Sequence, residues 1–486
     1  MRSICRPLLL TGAILWLGAI QAPAIAAEAS PYKFSKGYPA AEAITKARDD
    51  ADLQRAITAY RFWYPTVSVE GIFNGNRQAG LKDNEAVGAA AAGPRQVGFT
   101  LNSDTPYGSA TLDVAKEPMV IELPPGGYIG LANDHNQSWI LDMGIPGPDG
   151  GKGGKHLIAG PDYKGAIPDG YFAGHSATNK VLMAVRALPV GGDQQKALDA
   201  LHAIKIYPLS TAADPKPMKI VDTTNTDMDS TSLAWEDNIK FWEVLDRVIQ
   251  EEPQVAKFEP MYGLLATVGI EKGKTFKPDA RMKAILERAA RQGRDQMLVS
   301  AFDSNRPDRF AWPDRKWEWV GLVPDTAQFE TTAGIDLEAR DRWFAQAIVT
   351  SPAMFRRSAG AGSLYWLGVR DRKGAYLDGG KTYKLSIPQP VPAKLFWSVT
   401  AYDAQTRSEV QTDQNKAALR SLFELKDVKP SGSVDLYFGP KAPKNSEGRW
   451  IKTVPGRGWF AYIRIYGPDG PAFEGSWKPA DFEQVK

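Results

Sequence analysis

The sequence predicts a mainly β protein with helical inserts, built as two antiparallel, jelly-roll-like β-sandwiches bridged by α-helices. Three observations carry this. Short apolar runs of strand length alternate with Pro/Gly turns over residues 97–212, and the same texture returns over 359–486. Apolar residues at three- and four-residue steps mark helices before the first β-region and between the two. No repeat at solenoid spacing and no low-complexity tail interrupts this order.

The amino end reads MRSICRPLLLTGAILWLGAIQAPAIAAEAS. Arg2 and Arg6 supply a basic start, LLLTGAILWLGAI an apolar core and APAIAA a small-residue cleavage site, so residues 1–27 are expected to be a secretory signal peptide. The mature protein is then periplasmic or secreted, with no transmembrane segment once the signal is removed. Cys5 is the one cysteine, and it precedes the apolar core where a lipoprotein cysteine would follow it. The mature chain therefore has no disulfide, thiol nucleophile or cysteine metal site, and must rely on its hydrophobic core. With Lys+Arg 59, Asp+Glu 56 and a net charge of +3, charges of both signs are interspersed and no basic patch suggests a nucleic-acid partner.

Residues 28–96 are read as an amino-terminal helical segment, with helical spacing from Ala41 to Tyr64, a break at Pro65 and a closing NGN turn. The first β-domain, 97–212, contains TLDV, PMVIELPPGGYIGLAND, SWILDMG, KHLIAGP, GYFAGHS and KVLMAVRAL, then a helical stretch from Asp193 to Ala203 and the strand IKIYPLS. PGPDGGKGGKH lacks the G-K-[ST] and strand-to-helix context of a phosphate cradle and is read as a hairpin loop. The linker region 213–358 is mostly helical. Trp235, Ile239, Trp242, Leu245 and Ile249 form one apolar stripe, WPDRKWEW is an aromatic loop, and LEARDRWFAQAIVTSPAMFRRSA is a helix interrupted near Ser351–Pro352. The second β-domain, 359–486, contains SLYWLGVRD, YKLSIP, LFWSVTAYD, SVDLYFGP and WFAYIRIYGP.

Several of these segments carry a family resemblance. NSDTPYGSATLDVAKEPMVIELPPG with GYFAGHSATNKVLMAVRAL resembles the domain of unknown function 1254. LYWLGVRDRKGAYLDGGKTYKLSIP, KLFWSVTAYDAQT and GWFAYIRIYGPD resemble the domain of unknown function 1214 that usually follows it. The resemblance spans nearly the whole mature chain. It implies a bacterial exported or envelope protein with two jelly-roll-like domains bridged by helices, and implies no particular reaction. The sequence departs at His135, where a bulky apolar or aromatic residue is expected.

The polar residues of two strand-end loops are the candidate site. If NSDTPY and NDHN converge on one mouth, Asp104, Asp134 and His135 form a carboxylate–imidazole group able to act as general base, with Tyr107 donating to a developing oxyanion. The alternative for Asp104 and Asn102 is an Asx turn that caps backbone amides. Asn102, Thr105, Asn133 and Trp139 are the accompanying substrate-binding candidates. In the last third, Trp397, Val399 and Ala401 share one strand face, and Phe396, Ser398, Thr400 and Tyr402 the other. Trp397 and Tyr402 are candidate ligand platforms there; sheet packing is the plainer reading.

His135, His156, His175 and His202 show no metal-ligand spacing, so the cofactor is none or unknown, with a divalent metal assembled from distant loops as an open alternative. There is no G-x-S-x-G. The resulting expectation is a periplasmic hydrolase of a small or oligomeric organic substrate. The alternatives are a non-catalytic envelope binding protein for a carbohydrate or hydrophobic metabolite, and a scaffold that forms a homo-oligomer through its strand edges.

Overall fold

The computed structural model describes residues 30–323, 326–360 and 362–485. The expected signal segment, 1–27, lies outside them. The chain divides into two compact units after Ala51. In the first, the pair Phe34–Ser35 and Tyr38–Pro39 leads into the start of a helix, and Tyr32 Oη donates to Asp50 at 3.0 Å. Apart from the first turns of that helix, everything that follows concerns the second unit.

That helix runs from Ala41 to Gln78, straight through Pro65 and the NGN sequence, where a break was expected. Proline removes one amide donor from a helix interior. Around it the helix is tied to other parts of the fold: Phe62 O accepts from Arg340 Nη1 at 2.6 Å, and Pro65 O from Gln137 Nε2 at 2.8 Å. Residues 62–73 are buried, so packing outweighs the local preference.

The first sandwich pairs a six-stranded with a four-stranded sheet. The larger runs Lys219–Asp222, Ala86–Ala90, Tyr107–Asp113, Lys180–Ala187, Tyr128–Asp134, Trp139–Gly144; the smaller runs Tyr171–His175, Gly154–Ala159, Met119–Leu123, Lys205–Pro208. Leu112, Ile121, Met143, Ile158, Met183 and Val185 fill the space between them. The second sandwich repeats the plan. Its five-stranded sheet runs Glu318–Trp319, Ser363–Gly368, Trp459–Pro468, Ala393–Asp403, Ala418–Arg420, and its four-stranded sheet runs Trp450–Lys452, Gly432–Gly439, Thr382–Gln389, Glu483–Val485. Trp366, Leu385, Val399, Leu436, Phe438 and Ile463 form its core.

The strongly apolar strands lie where their alternation placed them. Most pairings are antiparallel; among the described residues three edge pairings of the sandwiches are parallel, Lys219–Asp222 on Ala86–Ala90, Tyr171–His175 on Gly154–Ala159 and Trp450–Lys452 on Gly432–Gly439, as is the separate pair Met228–Asp229 on Gln96–Val97. The PGPDGGKGGKH loop is not a hairpin. It carries the chain from Trp139–Gly144 in one sheet to Gly154–Ala159 in the other. Gly153 sits there at φ 78°, and a Cβ would meet Leu123 O at 2.7 Å, so only glycine fits the crossing.

Between the sandwiches in sequence lie the helices Lys240–Glu251, Glu259–Ala266 and Ala280–Phe302. Trp242, Leu245 and Ile249 are buried on the first, and Trp235 and Ile239 just before it pack against the same cluster. That cluster also holds Tyr60, Trp63 and Leu286, so these helices lie against the long one. The LEARDRWF helix stops at Phe344, well before Ser351–Pro352; Val349 is at φ 62°, and Ser351 Oγ caps a short helix, Pro352–Phe355. Among the described residues no helix is long and apolar enough to cross a membrane.

Candidate ligand-binding site

Strand alternation builds the site. In the six-stranded sheet, Val181, Met183 and Val185 point into the sandwich core, which turns Leu182, Ala184 and Arg186 to the outer face; Ala110 and Leu112 likewise leave Tyr107 and Ser109 outside. In the five-stranded sheet, Leu364, Ile463 and Ile465 are core, leaving Ser363, Tyr365, Tyr462 and Arg464 outside. The two outer faces line one cavity of about 190 Å³. Ile72 and Asn76 of the long helix and the segment bearing Trp343, Ile348, Val349 and Met354 complete the wall. The lining is mainly apolar, with Asn102, Tyr107, Arg186, Arg464 and Asp142 among its polar groups.

One end of the cavity is a network of tyrosines and arginines. Arg186, half-buried, donates from Nη1 to Tyr466 Oη at 3.3 Å and lies over the rings of Tyr107 and Tyr466, 5.8 and 5.5 Å from their centroids. Arg464 donates to Thr400 Oγ1 at 3.2 Å and Thr100 O at 2.9 Å, and its Nε has no partner. Its guanidinium is 4.9 Å from the Tyr462 ring centroid. Burial, and then the Asp104 charge, push the Tyr466 hydroxyl well above its usual range, so it remains a donor.

The loop NSDTPY packs beside this network as a docking loop. Asp104 is fully buried and accepts through Oδ2 from Ser398 Oγ at 2.7 Å and Tyr466 Oη at 3.0 Å, both in the second sandwich. Tyr402 Oη donates to Leu101 O at 2.7 Å. Asn102 closes the expected Asx turn, accepting the Asp104 amide at 3.0 Å, and donates from Nδ2 to Tyr107 Oη at 2.6 Å. Thr105 is buried and its hydroxyl has no partner. Of this group, Asn102 and Tyr107 reach the cavity.

His135 has a different set of neighbours. Its Nδ1 is 2.9 Å from Glu252 Oε1 and its Nε2 3.2 Å from Glu70 Oε2, with the Phe73 ring edge-on at 5.1 Å. Burial opposes a charge on the imidazole, but Glu252 and Glu70 more than offset it and raise its pKa. Glu70 is in turn held by Arg77 and Arg247, each at 2.9 Å; despite its burial, His135 and these arginines lower its carboxyl to about 2. Both ring nitrogens of His135 face carboxylates, so neither is turned toward the NSDTPY loop or the cavity. The expected Asp104–His135 pair is therefore not assembled. The two residues bond to disjoint partners, and neither lines the cavity.

The other candidates are structural in the same way. Asp134 accepts the amides of Asn136 and Ser138, both at 2.8 Å, a turn staple whose burial raises its pKa to about 6. Asn133 pairs with the Thr350 backbone at 2.9 and 3.0 Å. Trp139 donates from Nε1 to Asp142 at 3.1 Å. Trp397 belongs to the second sandwich core and Tyr402 faces the docking loop, so neither is a ligand platform. Among the described residues no cluster of three or more His, Cys, Asp or Glu is suited to a metal ion.

Arg186 was passed over as one more residue of an apolar strand. Arg464, Tyr365 and Tyr466 lie in the strands SLYWLGVRD and WFAYIRIYGP, and their outward alternation is the sequence signal that joins them to Arg186.

Two family models match in tandem: protein of unknown function (DUF1254) over residues 86–208 and protein of unknown function (DUF1214) over 362–470. No curated protein matches the chain. In structure the chain is similar to the VPA0106 protein from Vibrio parahaemolyticus, with TM-score 0.56, 19% identity, and coverage of 90% of this chain and 100% of that one. It also matches an uncharacterised protein from Burkholderia cenocepacia with TM-score 0.40, 13% identity, and coverage of 91% and 96%. The first likeness supports the mainly β fold with helical inserts. Both models match in the expected order, on the two sandwiches whose outer faces line the cavity, so the chain carries a DUF1254 domain followed by a DUF1214 domain.

Proposed function

We propose that this is an envelope binding protein that takes a small hydrophobic metabolite into the cavity between the two sandwiches. The observation that carries the reading is the lining itself: a mainly apolar concavity with a few convergent polar groups at one end. The hydrolase expectation rested on Asp104 and His135 meeting in one pocket, and their separate partners leave binding as the better-supported reading. The periplasmic or secreted location rests on the signal-like sequence of residues 1–27.

Titration with an environment-sensitive apolar dye tests it, using wild type and Ala184→Phe, which would fill the cavity. Wild type should bind and the variant should bind at least tenfold more weakly with an unchanged unfolding midpoint. Equal binding by the two proteins would refute the reading. A hydrolase substrate screen on the same samples should show no turnover. Fractionation of cells expressing the full chain tests the location.

A further inference from the structure

Resting on that reading, we propose that the bound metabolite is an acid: a monocarboxylate with an apolar body, whose head group sits between the guanidinium groups of Arg186 and Arg464.

The charges around the cavity carry this. The charged side chains of its lining are Arg186, Arg464 and Asp142. Among the described residues neither guanidinium is ion-paired to a carboxylate; their partners are hydroxyls, a carbonyl and aromatic rings. Two other buried arginines are neutralised directly, Arg342 by Glu318 at 2.8 Å and Arg407 by Glu236 at 2.6 Å, while Arg340, which lies outside the cavity lining, donates to Phe62 O at 2.6 Å and lies over two aromatic rings. A buried charge is normally paired, because the desolvation it suffers must be offset. Asp104 favours the Arg464 charge through space but makes no direct ion pair with it among the described residues. Its Oδ2 is taken by Ser398 and Tyr466, and it lies outside the lining. Asp142 is held by Ser351 Oγ at 2.9 Å and Trp139 Nε1 at 3.1 Å. Two cations therefore line the cavity without a directly ion-paired carboxylate among the described residues, and the Nε of Arg464 is buried without a partner. A planar carboxylate matches the forked geometry of a guanidinium.

The same strand orients the rest of the ligand. Arg186, Ala184 and Leu182 alternate outward along Lys180–Ala187, so polarity falls from one end of the cavity to the other over about 13 Å at strand rise. At the Leu182 end the wall is Ile72, Ile348 and Val349, which pack with Leu182 in one cluster. The site is thus a charged head end joined to an apolar trough.

The test compares dodecanoate, dodecanol and dodecylamine as displacers of the apolar dye from wild type, Arg186→Met and Arg464→Met. Dodecanoate should displace at least tenfold more effectively than the alcohol, with the amine weakest. Arg186→Met should lose most of that preference while retaining alcohol binding. Arg464 holds the Thr100 carbonyl, so its variant counts only if its unfolding midpoint is preserved, and half-buried Arg186 keeps the test decisive. Equal displacement by acid and alcohol in wild type, or an unchanged preference in Arg186→Met, would overturn the acid assignment and leave an apolar pocket standing. Failure of all three to bind wild type would overturn the assignment and the pocket reading together.

Discussion

Glu409 offers the sharpest test of how this interior is organised. It is 4% exposed, and neither carboxylate oxygen has a hydrogen-bond partner. Burial pushes its carboxyl from 4.5 up to about 7; the Asp104 charge adds to this, and Ser103, Arg464 and Arg420 oppose it. Between those two values the unfolded chain releases the proton while the folded protein keeps it. Stability is therefore fully present below pH 4.5, falls as pH rises, and has lost the whole contribution above pH 7. At about 1.4 kcal/mol per pH unit the gap amounts to about 3 kcal/mol. Glu409→Gln removes the titration while preserving shape. Urea unfolding of both proteins from pH 4.5 to 8 should show no difference at the acid end, and the variant ahead by about 3 kcal/mol at pH 8. A pH-independent difference, or a variant less stable than wild type at pH 8, would refute the reasoning.

Further tests follow from other contacts. A Cβ on Gly71 of the long helix would sit 2.6 Å from the Thr231 backbone carbon and oxygen, so Gly71→Ala should destabilise by about 2 kcal/mol in urea unfolding. Gly263, exposed in a helix with open space around it, should tolerate alanine with a gain of about 0.5 kcal/mol or more. His135→Ala removes the side chain that Glu70 and Glu252 share and should cost about 3 kcal/mol or more in calorimetry, while dye affinity in the cavity stays unchanged. Glu70 adds an acid limb: its stabilisation is present above about pH 4.5 and is lost as pH falls toward 2, and Glu70→Gln should flatten that limb. Asp134→Asn, which keeps an acceptor for the Asn136 and Ser138 amides, should cost less than Asp134→Ala, at about 1–2 kcal/mol.

The sequence by itself determined the strong elements. Runs such as KVLMAVRA and WFAYIRIY can bury one face only as strands, and Trp242, Leu245 and Ile249 share one face of a helix, so alternation and periodicity sufficed to place them. Weak edges were not legible: AVGAA and KIVD lack apolar alternation, and become strands because a neighbouring edge supplies hydrogen bonds. Pro65 misled because the partners of its helix lie far along the chain, at Gln137 and Arg340. The candidate site divided in the same manner. The NSDTPY loop was recognisable as a structured turn, and Asn102 and Tyr107 do reach the cavity. Which carboxylate meets which imidazole was decided by tertiary packing. Asp104 is held by Ser398 and Tyr466, and His135 by Glu70 and Glu252, all contributed by elements remote in sequence. Local pattern assigns a side chain to a face of its own strand or helix; only the stacking of one sandwich on the other sets what that face meets.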